Sequence, residues 1–372
     1  NLLSGFITIL LVSYISIYFG IFTMAVKYFQ NSRFRFLVLP SVFFLLEWLR
    51  SWVISGFPWL NLGAINEYLW GALPLVGAAG TSFIIVLVIA LFFEKNNKAF
   101  ARTFAIGLCL LMAFGPGFTQ KAGQEQLQIS VIQPIDTDLN EIINMTKEAN
   151  SDLVVWPEAV ALYDKTIIDR IGEKNVIGGF FRQEGQDIYT SAINLETQHF
   201  HDKRNLVPFG EFQPFGDLLS SVNEFFNIPN SNLDRGASTQ KKADWSALIC
   251  WELVFNNTFT KRARGTDYII HMSNDMWYGD GMSEQHLKHA RMRAVESNKW
   301  VVRATIDGIS QIISPRTEES SKKLDKKTKG SITHTITLNR KDTFYLKYGD
   351  MPLLILSIVF LAIGLLNRRY EK

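Results

Sequence analysis

Apolar residues along this chain are bunched rather than evenly spread. Four long apolar stretches fill the first third, over residues 2–28, 36–54, 69–93 and 104–118, and a fifth lies near the end, over 351–366. A helix needs about 20 apolar residues to cross the hydrocarbon core of a bilayer, with a range of about 17–25. Three of the stretches fit that length, while the fourth and fifth are short. Five in one chain predict an α-helical membrane bundle.

Between the fourth and fifth stretches the pattern changes. Short apolar runs bounded by polar residues recur at 127–132, 153–156, 176–179, 245–250, 268–272 and 300–305, each the length of a buried strand. Polar stretches with helical spacing, such as 284–297, lie between some of them. Strands alternating with helices predict a layered α/β domain, whose ligand sites gather just beyond the strand ends. The expected organisation is transmembrane helices over 1–122, an α/β domain over 123–348, and a C-terminal transmembrane helix with a short tail over 349–372.

Charge orients this plan. Lys27, Arg33 and Arg35 follow the first stretch, Lys95, Lys98 and Arg102 the third, and Arg368, Arg369 and Lys372 the fifth. If the chain crosses at every stretch, all three groups fall on one side, which the positive-inside rule makes cytoplasmic. The α/β domain then lies outside. In a bacterium with two membranes this means a multi-pass protein of the cytoplasmic (inner) membrane with a periplasmic domain. The net charge is only +3 and no dense basic patch occurs, which argues against nucleic acid as a partner. The sequence starts at Asn1 inside an apolar stretch and shows no signal-peptide pattern, so more natural sequence is expected upstream.

Two cysteines exclude a disulfide framework. Cys109 sits inside an apolar stretch, and Cys250 ends the run Ala247-Leu248-Ile249. Leu153-Val154-Val155-Trp156 leads into Pro157-Glu158, and Lys203 precedes Leu206-Val207-Pro208-Phe209-Gly210-Glu211. A carboxylate, an ammonium and a thiol can together perform acyl transfer. The carboxylate takes the thiol proton, the thiolate attacks a carbonyl, and the ammonium steadies the tetrahedral oxyanion, with the N–H of Trp251 as a natural second donor. Each residue also has a plainer reading: Cys250 as a small core hydrophobe, Glu158 as a solvated strand-end carboxylate, and Lys203, beside Arg204, as surface charge.

Taken together, these stretches resemble the apolipoprotein N-acyltransferase family, a membrane branch of the nitrilase superfamily. The resemblance begins at Glu47-Trp48-Leu49-Arg50, Gly56-Phe57-Pro58-Trp59 and Pro74-Leu75-Val76-Gly77. It continues through Trp156-Pro157-Glu158, Lys203, Leu206 to Glu211, Arg235-Gly236 and Ile249-Cys250-Trp251-Glu252. Ser273-Asn274-Asp275, Trp277, Gln285-His286, Ala290-Arg291-Met292-Arg293-Ala294, Glu296, Arg303 and Gly308 complete it. Motifs thus run along nearly the whole chain in family order, including the membrane motif that soluble nitrilases lack. Trp251 stands where the family often has Tyr. The stretch between Gln133 and Trp156 is shorter than the family's, and several helices usually precede the first one here.

The resemblance implies a nitrilase-like αββα sandwich, with Glu158 as general base, Lys203 as oxyanion-stabilising lysine and Cys250 as nucleophile. It implies supporting roles for Glu211, Glu252 and Trp251, the two carboxylates holding Lys203 and shaping the site. Trp277 and Trp59 are expected as gate or lipid-facing residues, or as interface anchors. The implied reaction moves a fatty acyl chain from a phospholipid donor, through a Cys250 thioester, to the α-amino group of a diacylglyceryl-modified apolipoprotein. A monomer needing no cofactor is expected. A membrane-tethered amidase shares the triad and is the nearest rival, and a non-catalytic scaffold is the rival from another class. His286 and His289 share a helical face, but no matching third ligand accompanies them, so hydrogen bonding rather than metal binding is expected. No Gly-x-Ser-x-Gly elbow and no Gly-rich phosphate loop occur.

Overall fold

The computed structural model describes residues 2–59, 61–94, 97–118, 125–213, 232–237, 243–277 and 279–370. The chain forms two compact units. One takes in Asn1–Thr119 and Tyr348–Lys372, the other Gln120–Asp217 and Pro229–Lys347.

The first unit is helical: α1 (Leu2–Phe29), α2 (Arg35–Arg50), α3 (Leu73–Phe92), α4 (Lys98–Phe114) and the C-terminal helix Met351–Tyr370. Phe44, Ala79, Phe83, Leu87, Ala105 and Met112 pack at its centre. Outward-facing Ile9, Ile17, Met24, Ile89, Ile106 and Ile355 leave an apolar exterior suited to lipid. Small residues bring backbones close: a Cβ on Gly71 would stand 2.5 Å from the Leu111 carbonyl oxygen. Pro74-Leu75-Val76-Gly77 marks a kink in α3, where Gly77 takes φ 68°.

Among the described residues, four segments are long and apolar enough to span a membrane: Thr8–Phe29, Glu67–Phe92, Lys98–Phe118 and Met351–Arg368. The expected stretch 36–54 differs, because its helix α2 stops at Arg50. At 1.5 Å per residue its 16 residues reach only about 24 Å. The chain then turns back, with Ile54 at φ 64° and the Phe57 N–H bonded to the Arg50 carbonyl at 2.8 Å. The motif at the end of α2 carries this irregular segment. Glu47 accepts the Leu62 N–H at 3.0 Å, and Arg50 donates to Asn61 at 2.9 Å. Non-helical backbone beside apolar helices needs such partners, because lipid supplies none.

The second unit is a helix–sheet–sheet–helix sandwich. Its six-stranded sheet has the order β10-β1-β2-β3-β4-β5 and its four-stranded sheet β6-β7-β8-β9. The strands are β1 (Gln126–Gln133), β2 (Leu153–Val155), β3 (Val176–Glu184), β4 (Asp187–Asn194), β5 (Phe200–Asp202), β6 (Trp245–Ile249), β7 (Tyr268–Asn274), β8 (Val301–Ile306), β9 (Gln311–Ile313) and β10 (Gly330–Thr337). Each of the six apolar runs is a strand. β1, β2 and β3 pair in parallel, as do β6, β7 and β8. The sheets meet through β1 against β8 and β4 against β6. Helices Leu139–Glu148 and Thr166–Ile171 pack Ile142, Ile143, Ile167 and Ile171 onto the first sheet. Helices Asn256–Ala263 and Asp280–Ser297 pack Phe259, Leu287, Ala290 and Ala294 onto the second. Parallel strands covered in this way are buried on both faces, hence their continuous apolar runs.

Candidate active site

Three parallel strands deliver chemistry at their carboxyl ends. β2 runs out into Trp156-Pro157-Glu158, β6 into Cys250 and β7 into Asn274-Asp275. Lys203 follows the edge strand β5, where its own N–H bonds the Thr190 carbonyl at 2.7 Å and its carbonyl accepts the Gly236 N–H at 2.8 Å. Any Cβ on Gly236 would lie 2.6 Å from the Asp202 carbonyl oxygen, which explains the glycine of Arg235-Gly236. A Cβ on Gly179 would similarly strike Pro157 at 2.3 Å, so β3 can lie against the Glu158 turn only with glycine there.

Glu158, Lys203 and Cys250 are all buried, at 4%, 0% and 4% exposure, which excludes the solvated readings of the first two. The Lys203 ammonium donates to Glu158 Oε1 at 2.8 Å and to Glu211 Oε1 at 2.5 Å. The other Glu158 oxygen accepts the Asn274 N–H at 3.0 Å, and the other Glu211 oxygen accepts the Val207 N–H at 2.8 Å. One buried cation thus sits between two carboxylates, each pinned to main chain.

Cys250 is not the last residue of its strand. It opens the 3-10 turn Cys250–Val254 with φ 54°, a left-handed conformation that costs a non-glycine residue about 1–2 kcal/mol. Ala159, beside Glu158, and Phe209, in the loop before Glu211, are also left-handed, at φ 52° and 62°. Such strain clusters where the surrounding structure over-determines it. Glu252 is one such determinant: Oε2 accepts the Ile249 N–H at 3.0 Å, and Oε1 accepts the Arg204 and Asn205 N–H groups at 2.6 and 3.2 Å. Arg262 donates to Glu252 at 2.7 Å. Glu252 therefore touches not the Lys203 ammonium, as expected, but the main chain just after Lys203 and just before Cys250. Trp251 is buried and donates from its indole to the Asn205 carbonyl at 2.6 Å, tying the turn to the same loop.

Electrostatics follow from burial. Desolvation raises the Glu158 pKa and the Lys203 charge partly offsets it. Burial alone would lower Lys203, but Glu158 and Glu211 hold it well above the usual range. The Cys250 thiol is pushed up to about 12 by burial, then by the Glu158 charge, with Lys203 opposing. Burial and the Glu158 charge thus keep the Cys250 thiol neutral at neutral pH.

Behind the turn lies a network that apolar patterning did not reveal. Asp275 is fully buried and accepts from Ser273 at 2.6 Å, His286 at 3.2 Å and Arg303 at 2.8 Å. Burial alone would raise its pKa, but Arg303 and then His286 hold it well below the usual carboxylate range. Gly308 packs directly on Asp275, where a Cβ would stand 2.5 Å from Oδ2. His286 thus makes the hydrogen bond expected of it. Trp59 is buried within the helical unit. The main chain of Trp277 ends a 3-10 turn, and its side chain lies outside the described residues.

Comparison with known proteins gives two family matches. A carbon-nitrogen hydrolase model covers residues 173–344, and an apolipoprotein N-acyltransferase N-terminal domain model covers residues 2–91. The apolipoprotein N-acyltransferase of Wigglesworthia glossinidia brevipalpis is 30% identical over 98% of this chain and 82% of its own length. That of Shewanella oneidensis is 28% identical over 98% of this chain and 80% of its own. Among solved structures, a CN-hydrolase superfamily protein of Xanthomonas campestris superposes on 57% of this chain and 91% of its own, with TM-score 0.42 and 16% identity. An amidase from Nesterenkonia superposes on 63% of this chain and 96% of its own, with TM-score 0.44 and 16% identity.

Proposed function

Because the chain belongs to the apolipoprotein N-acyltransferase family, we propose that it transfers a fatty acyl chain from a phospholipid to the lipidated N-terminal cysteine of an apolipoprotein, through a thioester on Cys250. The observation that carries the reading is the buried Glu158–Lys203–Glu211 clamp, in the same unit as a thiol held in a left-handed turn.

The chemistry runs in two halves. Glu158 takes the Cys250 proton as sulfur attacks the ester carbonyl, and Lys203 donates to the tetrahedral oxygen. The carbon–oxygen bond to the glycerol breaks, the proton returns from Glu158 to that alkoxide, and lysophospholipid leaves. The α-amino group of the acceptor then attacks the thioester carbonyl and gives its proton to Glu158. Carbon–sulfur cleavage releases the amide, and the thiolate recovers that proton. Glu211 keeps Lys203 charged throughout, since its carboxylate still neutralises the ammonium when Glu158 is protonated.

Topology supports a lipid donor. If α1 to α4 and the C-terminal helix all cross, the basic groups at Lys27 to Arg35, Lys95 to Arg102 and Arg368 to Lys372 share the cytoplasmic side of the inner membrane. The catalytic domain, 123–348, is then extracytoplasmic, where diacylglyceryl-modified acceptors are displayed. The short α2 belongs to this set because positive charge flanks its start and the motif at its end holds the following segment. The chain acts as a monomer in this reading, with Trp59 and Trp277 as candidate gate residues.

The test is the fate of the acyl group. Purified protein loaded with phospholipid is given a diacylglyceryl-modified peptide or buffer alone. N-acylated peptide, formed much faster than free fatty acid, is the expected result. Free fatty acid in both arms would instead establish the tethered amidase-type hydrolase.

A further inference from the structure

His271 sits in the middle of β7, inside the apolar run Tyr268-Ile269-Ile270-His271-Met272, and is completely buried. Its neighbours in register are Leu248 on β6 and Arg303 on β8. The ring makes two hydrogen bonds, one from each nitrogen. Nδ1 stands 2.7 Å from Arg303 Nη1, and Nε2 stands 3.0 Å from the carbonyl oxygen of Cys250.

Donor chemistry fixes the tautomer. A guanidinium only donates, so Nδ1 must accept, and the single ring proton of a neutral imidazole is then on Nε2. That proton points at the Cys250 carbonyl. A protonated ring would set an N–H against the guanidinium, and burial together with the Arg303 charge keeps the ring neutral. Arg303 is itself oriented, by Asp275 at 2.8 Å and by the Ile309 carbonyl at 2.9 Å. The network from Asp275 through Arg303 to His271 thus ends on the main chain of the residue whose backbone is strained.

We propose that His271 is a positioning residue: its Nε2–H holds the Cys250 carbonyl and so locks the left-handed turn that aims the thiol. Two anchors then bracket the nucleophile. Glu252 takes the N–H of Ile249 ahead of it, and His271 takes the carbonyl of Cys250 itself. This rests on Cys250 being the nucleophile. It goes further in assigning the strand behind the nucleophile, and not only the residues that face substrate, to the catalytic geometry.

A plainer role would be to satisfy the buried Arg303, and the two roles separate by side-chain reach. In His271→Asn the amide oxygen sits near the position of Nδ1 and still accepts from Arg303, but the side chain stops short of the Cys250 carbonyl. His271→Gln reaches as far as Nε2 and restores the donor. The experiment measures steady-state acyl transfer from phosphatidylethanolamine in mixed micelles to a diacylglyceryl-modified peptide, with full-length protein, and compares kcat and donor KM. For His271→Asn, kcat is expected to fall about 10- to 100-fold, the scale of a small misplacement of a reacting group. Donor KM should move less than about threefold and the thermal midpoint little, and His271→Gln should recover most of the lost rate. Wild-type kcat in His271→Asn, or equal impairment of the Asn and Gln variants, would overturn the assignment. With Cys250→Ala inactive alongside, that result would leave the nucleophile standing. An acylated Cys250→Ala would remove nucleophile and assignment together.

Discussion

Lys203 donates to Glu211 at 2.5 Å, and the second oxygen of that carboxylate is tied to the Val207 N–H at 2.8 Å. The loop from Leu206 to Glu211 therefore folds back to present a second, fixed counter-charge to a lysine that already pairs with Glu158. Removing the cation would leave the buried Glu158 carboxylate facing the partly buried one of Glu211 with no charge between them. Lys203→Met is expected to lose about 10²–10³-fold in acylation rate, the scale of one lost oxyanion donor. It should also lose stability of about 3–5 kcal/mol, as when one partner of a buried pair is removed. Single-turnover kinetics and denaturant unfolding check the two parts. A fall in rate with unchanged stability would mean that the clamp is not structural.

Glu252 makes no bond to the reacting groups, yet it holds the peptides on both sides of the site and neutralises Arg262. Glu252→Ala should therefore reduce both stability and rate, the former by up to about 3 kcal/mol because the partly buried Arg262 loses its counter-charge. In a Glu252→Ala, Arg262→Leu double variant much of the stability should return while the rate stays low. A double-mutant cycle in thermal midpoint and kcat reads both. Recovery of rate together with stability would limit Glu252 to a structural partner of Arg262.

The parallel strands were legible because burial on both faces makes them uninterrupted apolar runs. The strands missed were β4, β5, β9 and β10. β5 and β9 have three residues each, and β10 reads Gly-Ser-Ile-Thr-His-Thr-Ile-Thr with alternate residues exposed, so no continuous run marks them. Glu158 and Cys250 stood at run ends and Lys203 was marked only by family order, and the Lys203–Glu158 bond joins residues 45 positions apart that no local pattern brings together. His271 was invisible for a related reason. A lone histidine in an apolar strand is usually a satisfied core residue. Its signal is a second polar residue, Arg303, inside the next apolar strand, and only the β7–β8 register puts the two side by side.

Asp275 gives stability a definite pH dependence. Its carboxyl is held well below the usual range in the folded protein, so the native state binds fewer protons than the unfolded one. That contribution is complete above the unfolded pKa of about 3.9 and is lost as pH falls towards the native value. The gap in thermal midpoint between wild type and Asp275→Asn is therefore expected to be full at about pH 7 and to narrow below about pH 4. A gap unchanged down to about pH 3 would place the charge of Asp275 outside the stabilising network.

The membrane topology rests on α2 crossing despite its 16 residues. Single cysteines on a cysteine-free background test it by labelling intact cells with an impermeant maleimide. Asn66→Cys, between α2 and α3, should label from outside. Asn97→Cys, at the start of α4, should label only after permeabilisation. The reverse at Asn97 would mean that α2 does not cross and that the α/β domain faces the cytoplasm.

The central claim is that Cys250 carries the acyl group. Intact mass of the protein after incubation with phosphatidylethanolamine, without acceptor, is the most direct measurement. The expected result is the added mass of one acyl chain, lost on treatment with hydroxylamine, mapped to the peptide containing Cys250, and absent from Cys250→Ala. An adduct of the same mass on Cys250→Ala, or none on a wild-type protein that still transfers acyl chains, would contradict it.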